Sequence, residues 1–108
     1  MGAFEDTSIE HIEIPQSVIE IDPLAFAGSK LKEIILPDSV NSVRNGAFHS
    51  CQELEKVNLG STDILGDDIF VDCIHLRDVI LPGNLRSLDT SVFHNCTRLK
   101  EIIFLNTI

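Results

Sequence analysis

Residues 31–53 read LKEIILPDSVNSVRNGAFHSCQE, and near-copies of this stretch lie before and after it. Its opening Leu31 returns as Leu54, Leu76 and Leu99, with Ile9 in an earlier copy. Its Phe48 returns as Phe4, Phe26, Phe70 and Phe93. Cys51 returns as Cys73 and Cys96, and Thr7 and Ser29 hold that place upstream. Pro37 matches Pro15 and Pro82, while Gly60 and Leu105 stand there in the other copies. Each shift is 22 or 23 residues. Self-similarity at a fixed period marks a repeat array, in which a unit buries its apolar side only against its neighbours. The chain therefore reads as one domain, 1–108, with full units at 9–30, 31–53, 54–75 and 76–98 and a partial unit at either end.

Within the unit, the spacing L-x-x-L-x-L describes a short strand, as in the segments Ile9–Ile14, Leu31–Leu36, Leu54–Leu59, Leu76–Leu81 and Leu99–Phe104. Strand side chains alternate between faces, so the fourth and sixth positions point inward and the third and fifth outward. Pro15, Pro37 and Pro82 follow directly, and a missing N–H there is expected to end the pairing. A second apolar pair comes next: Val18 and Ile21, Val40 and Val43, Leu85 and Leu88. It would face inward from the returning side of the coil. In the unit 54–75 this segment is one residue shorter, so Thr62 aligns with Val40 and Leu65 with Val43, with Ile64 as a rival for the inner place. Turns at Asn45-Gly46 and Gly66-Asp67 then lead to the Phe, and a single turn of 3₁₀ type would put Phe and Cys on one side.

The composite pattern L-x-x-I-x-L-P-x-x-V-x-x-V-x-x-x-A-F-x-x-C resembles the BspA-like class of leucine-rich repeat, over essentially the whole chain. The resemblance implies a leucine-rich repeat solenoid, mostly β: a right-handed coil with a parallel concave sheet and short helical or 3₁₀ turns on the convex side. It also implies a part of a larger microbial surface or secreted protein that recognises other proteins, and on that ground alone an extracellular or cell-surface setting. Ser17 and Ser39 depart from the asparagine that other leucine-rich repeats carry, which Asn84 keeps.

Composition narrows the partner. The chain carries a formal charge of -9 with its eight Lys and Arg dispersed, which disfavours nucleic acid. No apolar run is long enough to span a bilayer, so direct membrane insertion is not expected. Met1–Phe4 lack the features of a secretory leader, and Gly2-Ala3-Phe4 matches Gly46-Ala47-Phe48, so the sequence opens and closes inside a repeat. A fragment of a longer array is expected, whose uncapped ends favour end-to-end self-association.

In a stacked coil, equivalent residues lie side by side at about 4.8 Å, so columns matter more than sequence neighbours. The second strand position reads Glu10, Lys32, Glu55, Arg77, Lys100, and the third reads His11, Glu33, Lys56, Asp78, Glu101. Their mostly alternating signs suit cross-strand pairing. The fifth, also outward, reads Glu13, Ile35, Asn58, Ile80, Ile103. Isoleucines facing solvent, rimmed by charge, mark a contact surface. The expected partner-binding residues are thus Glu13, Glu33, Ile35, Lys56, Asn58, Asp78, Ile80 and Ile103, for a protein or peptide. The rival reading is a structural spacer with no ligand of its own.

No cofactor, metal or catalytic residue is expected. The cysteines occupy one repeat slot and read as small buried residues, and no CxxC pair accompanies His75 beside Cys73. His49 and His94 lie two coils apart, about 10 Å, too far to share an ion. Asp63, Asp67, Asp68 and Asp72 lack a calcium-loop spacing and read as a solvated acidic turn. Neither a nucleophile with a partnering base nor a phosphate-binding glycine loop is present.

Overall fold

A computed structural model describes residues 10–83, 85 and 88–105. Phe4, Thr7, Ile9 and Asn84 lie outside these. Among the described residues the chain forms β1 (Glu20–Ile21), β2 (Glu33–Ile35), β3 (Ser42–Val43), β4 (Lys56–Asn58), β5 (Ile64–Leu65), β6 (Asp78–Pro82) and β7 (Glu101–Leu105), with a 3₁₀ turn at Thr90–Phe93. All pairing is parallel, in one sheet ordered β2-β4-β6-β7 and another ordered β1-β3-β5. The result is a mostly β solenoid of about four turns.

The four-stranded sheet follows the L-x-x-L-x-L spacing. Ile102 and Phe104 on β7, the last strand, are 37% and 57% exposed, but the inward positions of β2, β4 and β6 are sealed: Ile34, Leu36, Val57, Leu59, Val79 and Leu81 are each at most 3% exposed. Their burial removes a continuous apolar stripe from water at roughly 1.5–3 kcal/mol per side chain, which fixes the register against a one-residue slip. That register is Glu33↔Lys56↔Asp78↔Glu101 and Ile35↔Asn58↔Ile80↔Ile103.

The second sheet was not expected, since the returning side reads as irregular turn in the sequence. Two-residue strands leave no alternation to recognise, and Ser42 and Val43 are both buried. What aligns them is the stacked column Ile21, Val43, Leu65. Thr62 is fully buried and its Oγ1 donates to Val40 O at 3.5 Å, whereas Ile64 is 51% exposed. Thr62, not Ile64, takes the inner place.

The third side holds the phenylalanines. Phe26, Phe48, Phe70 and Phe93 form one internal row, with ring centroids 5.3, 5.7 and 5.7 Å apart and planes within 12° of parallel. Backbone around them is a run of tight turns tied laterally. The N–H groups of Leu24, Phe26 and Gly28 donate one coil onward, to Asn45, Ala47 and His49, while those of Ala25, Ala27 and Ser29 donate to Asp22, Leu24 and Phe26 within the coil. Alternate donors thus serve alternate coils, satisfying backbone that would otherwise be buried unpaired. The expected 3₁₀ turn appears at Thr90–Phe93, started by Asp89, whose Oδ1 accepts from Ser91 N at 2.9 Å.

This path takes a left-handed residue at two places in three successive coils, and at one place in the coil of the 3₁₀ turn. Leu24, Gly46 and Asp68 fill one column with φ of 59, 65 and 57°, and Gly28, Ser50, Asp72 and Asn95 fill the other. Glycine meets no penalty there, and Asp and Asn adopt it more readily than most. Two of the acidic residues at 63–72 are therefore placed by backbone geometry.

Two expectations about strand ends change. Segment 10–14 is not a strand; Lys32 N donates to Glu10 O at 3.0 Å, but Ile12 and Ile14 stay only partly buried and gain less from docking than Ile34 and Leu36. Pro82 lies inside β6, paired with Leu105. The N–H of Asp78 and the C=O of Ile80 both serve the β4 side, so an N–H at position 82 would point away from β7 and its absence interrupts nothing there. At the corner after β4, Gly60 replaces proline with φ of 59°; a Cβ would sit 2.7 Å from Leu36 O, and Asn58 Oδ1 accepts the Gly60 N–H at 2.9 Å. The missing residue of this unit is absorbed here, before β5.

Candidate functional site on the four-stranded sheet

The outward face of β2, β4 and β6 forms a depression of about 160 Å³ whose lining includes Glu33, Ile35, Lys56, Asn58, Asp78 and Ile80. Six of the eight residues expected to meet a partner are therefore brought together. Glu13 lines an adjoining groove of about 680 Å³ with His11, Pro15, Glu33, Ile35 and Pro37. Ile103 extends the apolar strip on β7, in register with Ile80. Ile35 and Ile103 are 60% and 42% exposed, while Ile80 and Asn58 are half-buried.

Strand geometry sets the chemistry. Neighbouring residues of one column are about 4.8 Å apart, and the charged and apolar columns lie two residues apart along each strand, about 7 Å. An apolar centre thus runs beside a charged rim. Among the described residues the ion pairs are Lys32–Glu10 at 3.5 Å and Arg44–Glu20 at 3.1 Å. Glu33, Lys56 and Asp78 are in neither, although the register sets them side by side. Asn58 is different: its side-chain oxygen holds the Gly60 corner. The sequence reading missed that role because the signal, an Asn two residues before an off-pattern glycine, lies in a turn.

The cysteines do something the sequence did not reveal. Cys51, Cys73 and Cys96 each donate S–H to the carbonyl of Phe26, Phe48 and Phe70 in the previous coil, at 3.0, 3.1 and 3.0 Å. Each of these carbonyls also accepts an N–H from its own coil. Ser29, in the equivalent slot, lies 3.5 Å from Cys51 Sγ through its hydroxyl. All three thiols are free. Hydrogen bonding with Cys51, then burial, raises the Cys73 pKa, and burial pushes Cys96 up to about 11. Raised values hold Cys73 and Cys96 protonated and unreactive, whereas the hydrogen bond with Cys73 lowers the Cys51 pKa.

Several other polar residues bond within the coil or to the adjoining one. His75 Nδ1 lies 2.6 Å from Gln52 O, His49 Nδ1 lies 2.8 Å from Ser50 Oγ, and Asn95 donates to Asp72 Oδ1 at 2.9 Å. Ser39, at the place of the missing asparagine, donates to Val18 O at 2.6 Å and so ties two coils together.

Residues 1–108 match the BspA type leucine-rich repeat region, in six copies. The chain belongs to the BspA-type leucine-rich repeat family. Two solved structures are similar to it. A leucine-rich repeat protein from Bacteroides ovatus matches with TM-score 0.66 and 27% identity, over 86% of this chain and 24% of its own. A leucine-rich cell surface protein from Faecalibacterium prausnitzii matches with TM-score 0.68 and 22% identity, over 94% of this chain and 33% of its own. The second shows likeness of fold alone. This BspA-type chain thus spans about a quarter to a third of the solved structures it matches. Comparison with curated proteins returned no match. The family and fold are generally non-enzymatic repeat modules that mediate protein interactions.

Proposed function

We propose that this chain is a protein-recognition module that takes a protein or peptide on the outward face of its four-stranded sheet, within a larger microbial surface protein. The observation that carries the reading is the exposure of Ile35 and Ile103, joined through Ile80 in one register column and flanked by Glu33 and Asp78. Strand propensity favours isoleucine anywhere in a sheet, but an outward column beside a depression is where such a residue gains from a partner. The cell-surface setting is proposed from the family resemblance alone, since the F. prausnitzii cell surface protein is like this chain in fold only. Selection of a random-peptide library on the wild type and on an Ile35→Asp/Ile80→Asp variant tests it. Peptides enriched by the wild type and lost by a variant with unchanged circular dichroism support the reading. Peptides held equally by both proteins overturn it, and no enrichment at all favours the spacer.

A further inference from the structure

We infer that the segment held by this face is cationic: an extended stretch that sets one apolar side chain into the depression, with Lys or Arg on either side of it. The inference rests on the recognition reading and adds the chemistry of the partner.

The size of the depression limits the anchor. At about 160 Å³ it matches a cavity of about 150 Å³, enough for a benzene-sized group. The depression therefore has room for one aliphatic or aromatic side chain over Asn58, between Ile35 and Ile80.

Charge selects the flanks. The outward columns carry the carboxylates of Glu13, Glu33, Asp78 and Glu101 against the ammonium of Lys56, an excess of three negative charges. The neighbouring column of Glu10, Lys32, Glu55, Arg77 and Lys100 returns one positive charge, so the face stays acidic, in keeping with the chain's -9. Glu33 and Asp78 stand two strands apart, about 10 Å, on either side of the depression. Neither carboxylate is in an ion pair among the described residues, and Lys56, in register between them, offsets only one of the two charges, which leaves the rim net negative toward a cation from outside. An extended chain advances about 3.3 Å per residue, so basic residues about three apart reach both carboxylates at once. An acidic segment would meet like charge on the rim, which slows encounter and discriminates against it.

The test uses three synthetic peptides with the same central Leu, flanked by Lys, by Ser or by Glu, and fluorescence anisotropy with the full chain. The Lys-flanked peptide is expected to bind tightest and to weaken with added salt. Glu33→Gln and Asp78→Asn should each weaken it roughly 2- to 5-fold, the range of a partly exposed ion pair. Ile80→Asp should abolish binding. Equal binding of all three peptides, still lost in Ile80→Asp, overturns the cationic assignment and leaves the recognition reading standing. Binding of the Lys-flanked peptide that survives both Ile35→Asp and Ile80→Asp overturns both. Failure of every peptide to bind overturns the cationic assignment.

Discussion

The phenylalanine row and the isoleucine strip are columns of the same coil, built by the same 22- or 23-residue period, yet they differ in kind. Along the inner row the residue is Phe26, Phe48, Phe70, Phe93, with rings stacked at 5.3–5.7 Å. Along the outer strip it changes at nearly every step, from Glu13 through Ile35, Asn58 and Ile80 to Ile103. Phe48 and Phe70 each have a ring before and after them, so the shape of those positions is dictated by their neighbours. The outer strip meets solvent, and only strand propensity and cross-strand pairing constrain it. Cohesion resides in the uniform column, and freedom to specify a partner in the mixed one.

The strongest way to break this contrast is Phe48→Ala. Phe48 is fully buried between two rings, so its loss should cost about 3 to 5 kcal/mol, read from the urea midpoint. The outer substitutions Ile35→Asp and Ile80→Asp should each move that midpoint far less while removing peptide binding. A cost near that of Phe48→Ala at Ile35 would erase the distinction.

Gly46→Ala comes next, at about 1 to 2 kcal/mol, because φ of 65° disfavours any Cβ and this one would stand 2.9 Å from Leu24 Cδ2. Adding Leu24→Ala should recover the contact part of the loss and leave the backbone part. Full recovery would mean that the left-handed column carries no penalty.

A smaller effect concerns pH. Burial raises the Cys96 pKa from 9.0 to about 11, so the folded chain holds that proton more tightly than the unfolded one. Stability from this group is complete below about pH 9 and is lost as pH rises through 11. Cys96→Ser should flatten the part of the stability–pH curve above 9 that belongs to the thiol, and identical slopes for both proteins would refute the assignment. Smallest of all, Lys32→Ala should cost about 0 to 1 kcal/mol and less in salt, since its pairing with Glu10 is solvent-exposed.

Much of this was legible in the sequence, and unevenly so. The Phe row, the inward strand positions and the register of the outward columns follow from the period alone, because large apolar residues at fixed spacing admit one stacking. The second sheet did not show itself: Glu20–Ile21, Ser42–Val43 and Ile64–Leu65 are too short to display alternation. The left-handed columns were hidden because Leu24, Gly46 and Asp68 share a backbone angle and no side-chain property. Cysteine size was readable, while its hydrogen bond to a carbonyl about 25 residues earlier exists only once the coils are stacked. At the candidate site, the grouping of Glu33, Ile35, Lys56, Asp78 and Ile80 was foreseeable from register, and the depression between them was not.

The corner at Gly60 has an architectural consequence. One residue fewer between β4 and β5 than between β2 and β3 leaves both ladders in step. Length can therefore vary at this bend without disturbing either wall, much as a hinge plate takes up a misfit between two panels. Because the bend borders the outward face through Asn58, a longer excursion grafted there would overhang the depression and reshape its entrance while the stacked interior stayed as it is.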